Sequence, residues 1–301
     1  MPKQNLNLIK FFEKFQSEEK ATEYFEKLRW KDGIIVCPYC GSVHISKCKI
    51  PMPYRCKDCR KHFSVRIGTI LNESKLPLLK WLLAIYILTN TKKGVSSVQL
   101  AEYLGVTQKT AWFLAHRIRE TWEQNKDRLE GTIEVDETYI GGKEQNKHNS
   151  QKLKEGRGSV GKIPVMGLKS RLGDVKSFVI KETDTKTLTT KIRVNVKPNS
   201  NVYTDEWKAY KDLYEYNHQR VNHKQGEYVN GDISTNGIES FWAVLKRGYY
   251  GIYHQWSLKH LQKYINEFAL RHNIQGDIEK LSYTILNGIG RRLTYKDLIH
   301  A

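Results

Sequence analysis

The chain has 301 residues, enough for two or three domains, and its 39% hydrophobic and 11% aromatic content supports a packed core and excludes a disordered chain. Fifty Lys and Arg against 32 Asp and Glu leave a formal charge of +18, which points to a polyanionic partner, nucleic acid first. The most apolar run, Leu76 to Leu88, is interrupted by Lys80 and is shorter than the roughly 20 residues a membrane span needs. The N-terminus has no signal-like apolar run, and the cysteine usage fits a reducing compartment, so a cytoplasmic protein with no membrane partner is expected.

Two short amphipathic helices are predicted over 5–30. Leu8, Phe11, Phe12 and Phe15 form the stripe of the first; Ser17 caps the second, with Glu18 and Glu19 in its first turn. Then come Cys37-Pro-Tyr-Cys40 and, after 15 residues, Cys56-Lys-Asp-Cys59. Two such pairs are the spacing of a structural zinc site, in which each knuckle aims two thiolates at one point and the four close a tetrahedron. An all-cysteine set leaves no open position for catalysis, so the Zn²⁺ replaces a core in a segment too small to have one. Cys48 is left over, and Lys47, Lys49, Arg55, Lys57, Arg60 and Lys61 make the ribbon's surface basic.

Residues 74–128 read as helical. One helix covers Leu76–Leu88, and Ser96 to Trp112 has the pattern of a helix-turn-helix. Ser96 or Ser97 caps its first helix, Gly105 permits the turn, and Thr107 caps the second. Gln108, Lys109, Arg117 and Arg119 are predicted on the exposed side of that second helix, where Lys109 and Arg117 could contact DNA; a purely structural three-helix bundle produces the same pattern.

From Gly131 the texture changes to short strands. Thr132–Ile140 alternates Ile133 and Val135 against Glu134, Asp136 and Thr138. A polar, basic loop over 143–161 follows, then strands at Val165–Leu168 and Val175–Ile180 and a helix over Thr185–Val194. A strand Ser200–Asp205 follows, then a short helix from Glu206 to Lys211 and a basic loop over 218–235. Hairpin meander, helix, strand and helix together suggest an α/β unit of ribonuclease-H type. The helix beginning at Asn236 buries Ile238, Trp242, Leu245 and Tyr249, and sets Asn236, Glu239 and Lys246 on a neighbouring face. Leu258–Arg271 is a further amphipathic helix, and the last residues read as a loosely attached helical tail.

Asp136 and Asp205 on two strands and Glu239 on a helix can converge at one edge of a sheet. Their purpose there would be to hold two Mg²⁺ (or Mn²⁺) ions for an in-line phosphoryl displacement, with Lys246 on a nearby phosphate. His254, His260 and the tryptophans Trp207, Trp242 and Trp256 are weaker candidates, for which core packing is the simpler reading.

The chain resembles bacterial insertion-sequence transposases of the DDE superfamily, of the ISXO/Merlin-like type, from about residue 10 to 273. The resemblance rests on Leu28-Arg-Trp-Lys-Asp-Gly33, the four cysteines, Phe63 to Ile70 and Leu104 to Trp112. It continues through Val135-Asp-Glu-Thr-Tyr-Ile-Gly-Gly142, Tyr203-Thr-Asp-Glu-Trp207, Asn236 to Gly248 and Lys259 to Asn273. It implies Asp136 and Asp205 as the first two metal ligands and, in an Asn-x-x-Glu pattern, either Asn236 or Glu239 as the third. An anion binds Mg²⁺ better than an amide, which favours Glu239. Ser234 departs from the pattern, where a histidine is expected; His223 could have taken its role. The implied organisation is multidomain α+β: N-terminal helices 1–30, zinc ribbon 31–72, helix-turn-helix-like DNA-binding region 73–129, ribonuclease-H-like catalytic domain 130–273 and tail 274–301.

The implied activity is recognition of terminal inverted repeats in double-stranded DNA, followed by Mg²⁺-dependent cleavage and strand transfer, with Arg247 beside Lys246 as a DNA contact and a homo-oligomer holding the ends. The alternatives are a metal-dependent nuclease without a joining step and a non-enzymatic DNA-binding regulator.

Overall fold

The computed structural model describes residues 6–49, 52–124, 126–142, 144–153, 159–205, 208–210, 212–221 and 234–300. The chain divides into two compact units. The first comprises 1–91, 95–123 and 274–301; the second comprises 92–94 and 124–273. Among the described residues no helix is long and apolar enough to cross a membrane.

In the first unit, helices α1 (Leu8–Lys14) and α2 (Glu18–Arg29) start on Asn7 and Ser17, whose side chains accept from Lys10 N and Lys20 N. Phe11 and Phe15 are buried as the stripe predicts, but Leu8 and Phe12 are about half exposed. A seven-residue helix has room to bury only one narrow face. The ribbon follows as three short antiparallel strands, β1 (Ile45–Lys47), β2 (Tyr54–Cys56) and β3 (His62–Phe63). Helix α3 (Leu78–Asn90) begins after Pro77 with no cap of its own; the Glu18 carboxylate accepts from its Leu78 and Leu79 amides at 2.6 and 3.0 Å. An acid at a helix N-terminus both satisfies open amides and meets the positive end of the dipole.

Helices α4 (Ser97–Leu104) and α5 (Gln108–Arg119) form the predicted helix-turn-helix. Ser96 and Thr107 cap them, and Gly105 turns the chain at φ 58°, a conformation glycine adopts without cost. The last helices are not the loosely attached tail that the sequence predicts. Residues 274–300 fold back as α9 (Asp277–Asn287) and α10 (Tyr295–His300), with Leu281, Ile285 and Leu298 buried. The Trp122 indole donates to Thr284 Oγ1 at 2.9 Å. The sequence hid this because the apolar face of α9 is only half a core until α2 and α3 supply the other half.

The second unit is built on a five-stranded sheet. Its strands are β4 (Thr132–Ile140), β5 (Ile163–Ser170), β6 (Val175–Val179), β7 (Asn201–Asp205) and β8 (Asn217–Val221), in the order β6-β5-β4-β7-β8. β5 lies between β4 and β6 and is antiparallel to both, while β7 and β8 run parallel to β4. This is the ribonuclease-H-like arrangement that the sequence predicts, with one element it missed: β8 lies at the start of the stretch read as a loop. Its sequence Asn-His-Gln-Arg-Val has no apolar alternation and only Val221 is buried, as suits an edge strand. Residues 222–233, including His223, lie outside the described residues, as do Glu206, Trp207 and Lys211; between the last two, Lys208–Tyr210 forms a 3₁₀ turn.

Helix α6 (Thr185–Asn195), capped by Asp184, covers one face of the sheet, where Ile133, Val135, Met166 and Leu168 meet Leu188 and Ile192. Helices α7 (Asn236–Gly248) and α8 (Leu261–Asn273) cover the other, packing Ile238, Trp242, Leu245, Ile265 and Phe268 against Ile140, Val165 and Val175.

Candidate metal centres and active site

The four cysteines are brought together by two similar knuckles. In each, the residue after the second cysteine takes a left-handed backbone: Gly41 at φ 75° and Arg60 at φ 60°. Their Sγ atoms form the only group of three or more Cys, His, Asp or Glu ligand atoms among the described residues lying within 4.8 Å of one another. Cys37 and Cys59 Sγ are 3.7 Å apart, and Cys40 and Cys56 Sγ 3.6 Å. Four thiolates about 2.3 Å from a central zinc lie about 3.8 Å apart along each tetrahedral edge, so the observed spacing fits Zn²⁺. Backbone amides of Cys59 and Asp58 and the neighbouring thiols lower the Cys56 pKa to about 6 despite burial, while burial and the neighbouring thiols push Cys40 up to about 12, so the four thiols compete for negative charge that a bound cation would offset. Cys48 stands outside the group.

The acids are arranged by strand alternation and by the parallel pairing of β4 with β7. Glu134, Asp136 and Thr138 share the β4 face that α7 covers, opposite to Ile133 and Val135. β4 and β7 pair up to Glu134 opposite Tyr203, and the next residues of each strand carry the chain to Asp136 and Asp205. Burial pushes the Asp136 carboxyl up to about 6; the charges of Asp205 and Glu239 push it further the same way. The Glu137 amide and the Trp242 indole act in the opposite sense, although the buried Trp242 Nε1 closes no hydrogen bond in the structure. Thus three acids from β4, β7 and α7 share one electrostatic field. They are less tightly gathered than the cysteines, since their oxygens do not all fall within 4.8 Å.

Sequence reasoning passed over a fourth acid. Glu137 falls in the apolar register of β4 with Ile133 and Val135, which gave no signal of a charge. Its carboxyl is pushed up to about 9, by burial first and then by Asp136 and Asp205, so it is protonated at neutral pH.

Helix α7 reaches this place through close contacts. Gly167, opposite Asp136 on β5, has no room for a side chain: a Cβ there would lie 2.4 Å from Trp242 and 2.7 Å from Ile238. At the helix start, Glu134 accepts from the Ile238 amide at 2.9 Å. Arg171 Nε lies 3.4 Å from the same carboxylate, and its Nη2 donates to Ser234 Oγ at 3.2 Å. Glu134 and Arg171 were not singled out from the sequence. The available signal was Glu134 sharing the site face of a strand with Asp136. Glu239 accepts from the Thr235 hydroxyl at 2.9 Å, one turn earlier, and Asn236 begins the same exposed side.

Lys246 is half-buried and Arg247 exposed, both in the last turn of α7. Lys109 is exposed, with its ammonium 4.8 Å from the Tyr295 ring of α10. The prediction of an exposed Arg117 is overturned. Only 6% of it is accessible; it stacks over Trp81 and donates to the Asn72 carbonyl at 2.7 Å. Burial lowers its pKa to about 10. Arg119 is buried too. The helical period alone does not tell which arginines face solvent, because a guanidinium can pack on an aromatic ring and still satisfy its donors. Trp242 and Trp256 belong to the core, the latter stacked on Tyr264 at 5.0 Å, and His260 is buried while His254 is exposed.

Residues 128–273 match a family described as ISXO2-like transposase domain, and residues 16–62 match one described as transposase zinc-ribbon domain. An uncharacterized protein in transposable element ISH50 of Halobacterium salinarum is 29% identical over 275 residues, covering 86% of this chain and 92% of that protein. An uncharacterized transposase-like protein of Haemophilus influenzae is 34% identical over 104 residues, covering 33% of this chain and 80% of that one. A solved structure described as a pre-cleavage Mos1 transpososome overlaps 70% of this chain and 79% of its own at 11% identity with a TM-score of 0.27.

Proposed function

The chain belongs to the ISXO2-like, DDE-type DNA transposases with an N-terminal zinc ribbon, and from that premise we propose that Asp136, Asp205 and Glu239 carry cleavage and strand transfer at the ends of its element. The observation that carries this reading is the approach of three acids from β4, β7 and α7, in which burial first, and then the charges of Asp205 and Glu239, raise the Asp136 pKa. Holding like charges together costs stability unless a cation offsets them, and oxygen donors of this kind suit Mg²⁺ or Mn²⁺. Asp136, Asp205 and Glu239 would hold a pair of such ions, which would supply Lewis-acid activation for an in-line displacement. The chain's own residues orient that chemistry. Asp136 and Asp205 are held on adjacent parallel strands, and Glu239 comes from the first turn of α7.

Glu239 rather than Asn236 is the third ligand, since its charge reaches Asp136 and an anion holds Mg²⁺ more strongly than an amide. Lys246 and Arg247, at the end of the same helix, contact DNA phosphates near the scissile bond. The ribbon, which Zn²⁺ stabilises, and the helix-turn-helix with Lys109 recognise the terminal repeats, and a homo-oligomer holds two ends together. Asp136→Ala tests the assignment: the variant retains binding to end DNA in a shift assay and loses Mg²⁺-dependent cleavage and strand transfer. Cleavage at the wild-type rate would remove Asp136 from the site. In the same assay Glu239→Gln loses activity and Asn236→Ala retains a measurable part of it.

A further inference from the structure

A catalytic constellation drawn from two strands and a helix needs something to set the helix at a fixed distance from the strands. The packing of apolar side chains alone tolerates small slides and rotations, whereas a directional polar contact does not. One such contact ties α7 to β4. Glu134 has a side chain only 5% exposed and bonds the Ile238 amide across 104 residues of sequence. Gly237 leaves no space beside it, since a Cβ at that position would lie 2.6 Å from Glu134 Oε2 and 2.9 Å from Lys169 Nζ. Arg171 meets the same carboxylate, lies 5.1 Å from the Tyr203 ring of β7, and reaches Ser234 just ahead of α7. The bonded atoms are each adjacent to the proposed ligands. Glu134 lies two residues before Asp136 on the same strand face, and Ile238 immediately precedes Glu239.

We infer that Glu134, braced by Arg171, is the positioning residue that sets the separation between Asp136 and Glu239, and so the affinity of the site for its divalent cations. This rests on the proposed metal role of those two acids. The carboxylate holds three things at once: one open amide in the first turn of α7, that of Ile238, where an anion is favoured, the cation of Arg171, and the backbone approach that Gly237 permits. Loss of such an outer contact typically weakens metal affinity or activity by about 10–100-fold.

Mn²⁺ binding to the zinc-loaded full chain, read by electron paramagnetic resonance without DNA, tests the inference apart from catalysis. Glu134→Ala weakens Mn²⁺ binding by about 10–100-fold while end-DNA binding stays at the wild-type level. Glu134→Gln recovers most of the affinity, because its amide oxygen still accepts from Ile238. Gly237→Ala perturbs the same contact from the other side. It raises helix propensity yet pushes on the Glu134 carboxylate, so it also weakens Mn²⁺ binding, and it decides the matter if Glu134→Ala fails to fold. Wild-type Mn²⁺ affinity in a folded Glu134→Ala or in Gly237→Ala overturns the inference. Asp136→Ala separates the two readings. If it too keeps full Mn²⁺ affinity, the metal site itself is wrong; if it alone loses Mn²⁺, only the positioning role fails.

Discussion

Replacing Asp136 by Asn moves stability and activity in opposite directions. The Asp136 carboxyl ionises at about 6 in the folded chain against an ordinary 3.8. A raised acid pKa means that the folded state holds its proton more tightly than the unfolded state does. The resulting stabilisation is present below about pH 4 and is lost as pH rises through 6. Above pH 6 the folded protein carries the full cost of a buried anion beside Asp205 and Glu239. Two pKa units correspond to on the order of 3 kcal/mol. An asparagine keeps the shape and an acceptor oxygen but has no charge, so in buffer without added divalent cation Asp136→Asn melts above wild type at pH 8. For a unit of this size that energy equals a shift of very roughly 6–12 °C. The gap narrows below pH 6 and closes near pH 4. Added Mg²⁺ raises the melting temperature of wild type by binding only the folded state, and leaves the variant unchanged. Cleavage is lost in the variant at every pH. Thermal melts across pH 4–8, with and without Mg²⁺, read all of this. A variant that melts at or below wild type at pH 8, or a gap indifferent to pH, refutes the placement of Asp136 among like charges.

Three further outcomes follow from the first unit. Arg117→Ala removes a guanidinium stacked on Trp81 and leaves the Asn72 carbonyl unpaired. It lowers stability by about 1–3 kcal/mol in urea titrations, and any loss of DNA affinity parallels the unfolded fraction. Lys109→Ala, by contrast, leaves the urea midpoint in place and weakens DNA binding with a shallower salt dependence. Zinc ligation requires thiolates, so acidification is expected to release the metal; Cys56→Ser is expected to lose one equivalent of zinc by metal analysis and to expose the ribbon to protease within 37–63. Retention of zinc in that variant would exclude Cys56 as a ligand.

Much of the fold and part of the site were legible in local sequence. The cysteine pairs specify their own knuckles, because the spacing and the turn residues are contained within a few residues. Caps at Ser17, Ser96, Thr107 and the alternation of β4 are likewise local properties, and each appears at its predicted place. The strand β8 was not legible, since an edge strand with one buried residue has nothing to alternate. Neither was the burial of Arg117, which depends on Trp81 and Asn72 arriving from elsewhere.

The sequence by itself determined which residues are the candidates for the chemistry. Four thiols at metal spacing, three acids on predicted strands and a helix, and a strongly basic chain are facts of residue type and order. Only the tertiary structure decided how they are held. It paired β4 with β7 in parallel, so that Asp136 and Asp205 become neighbours across 69 residues. It turned Glu134 from an ordinary strand acid into the anchor of α7. It also folded the last helices back into the first unit. The physical reason is range. Capping, alternation and knuckle geometry act within a turn or two of chain, whereas a shared field, a buried hydrogen bond and a half-core exist only when distant segments meet.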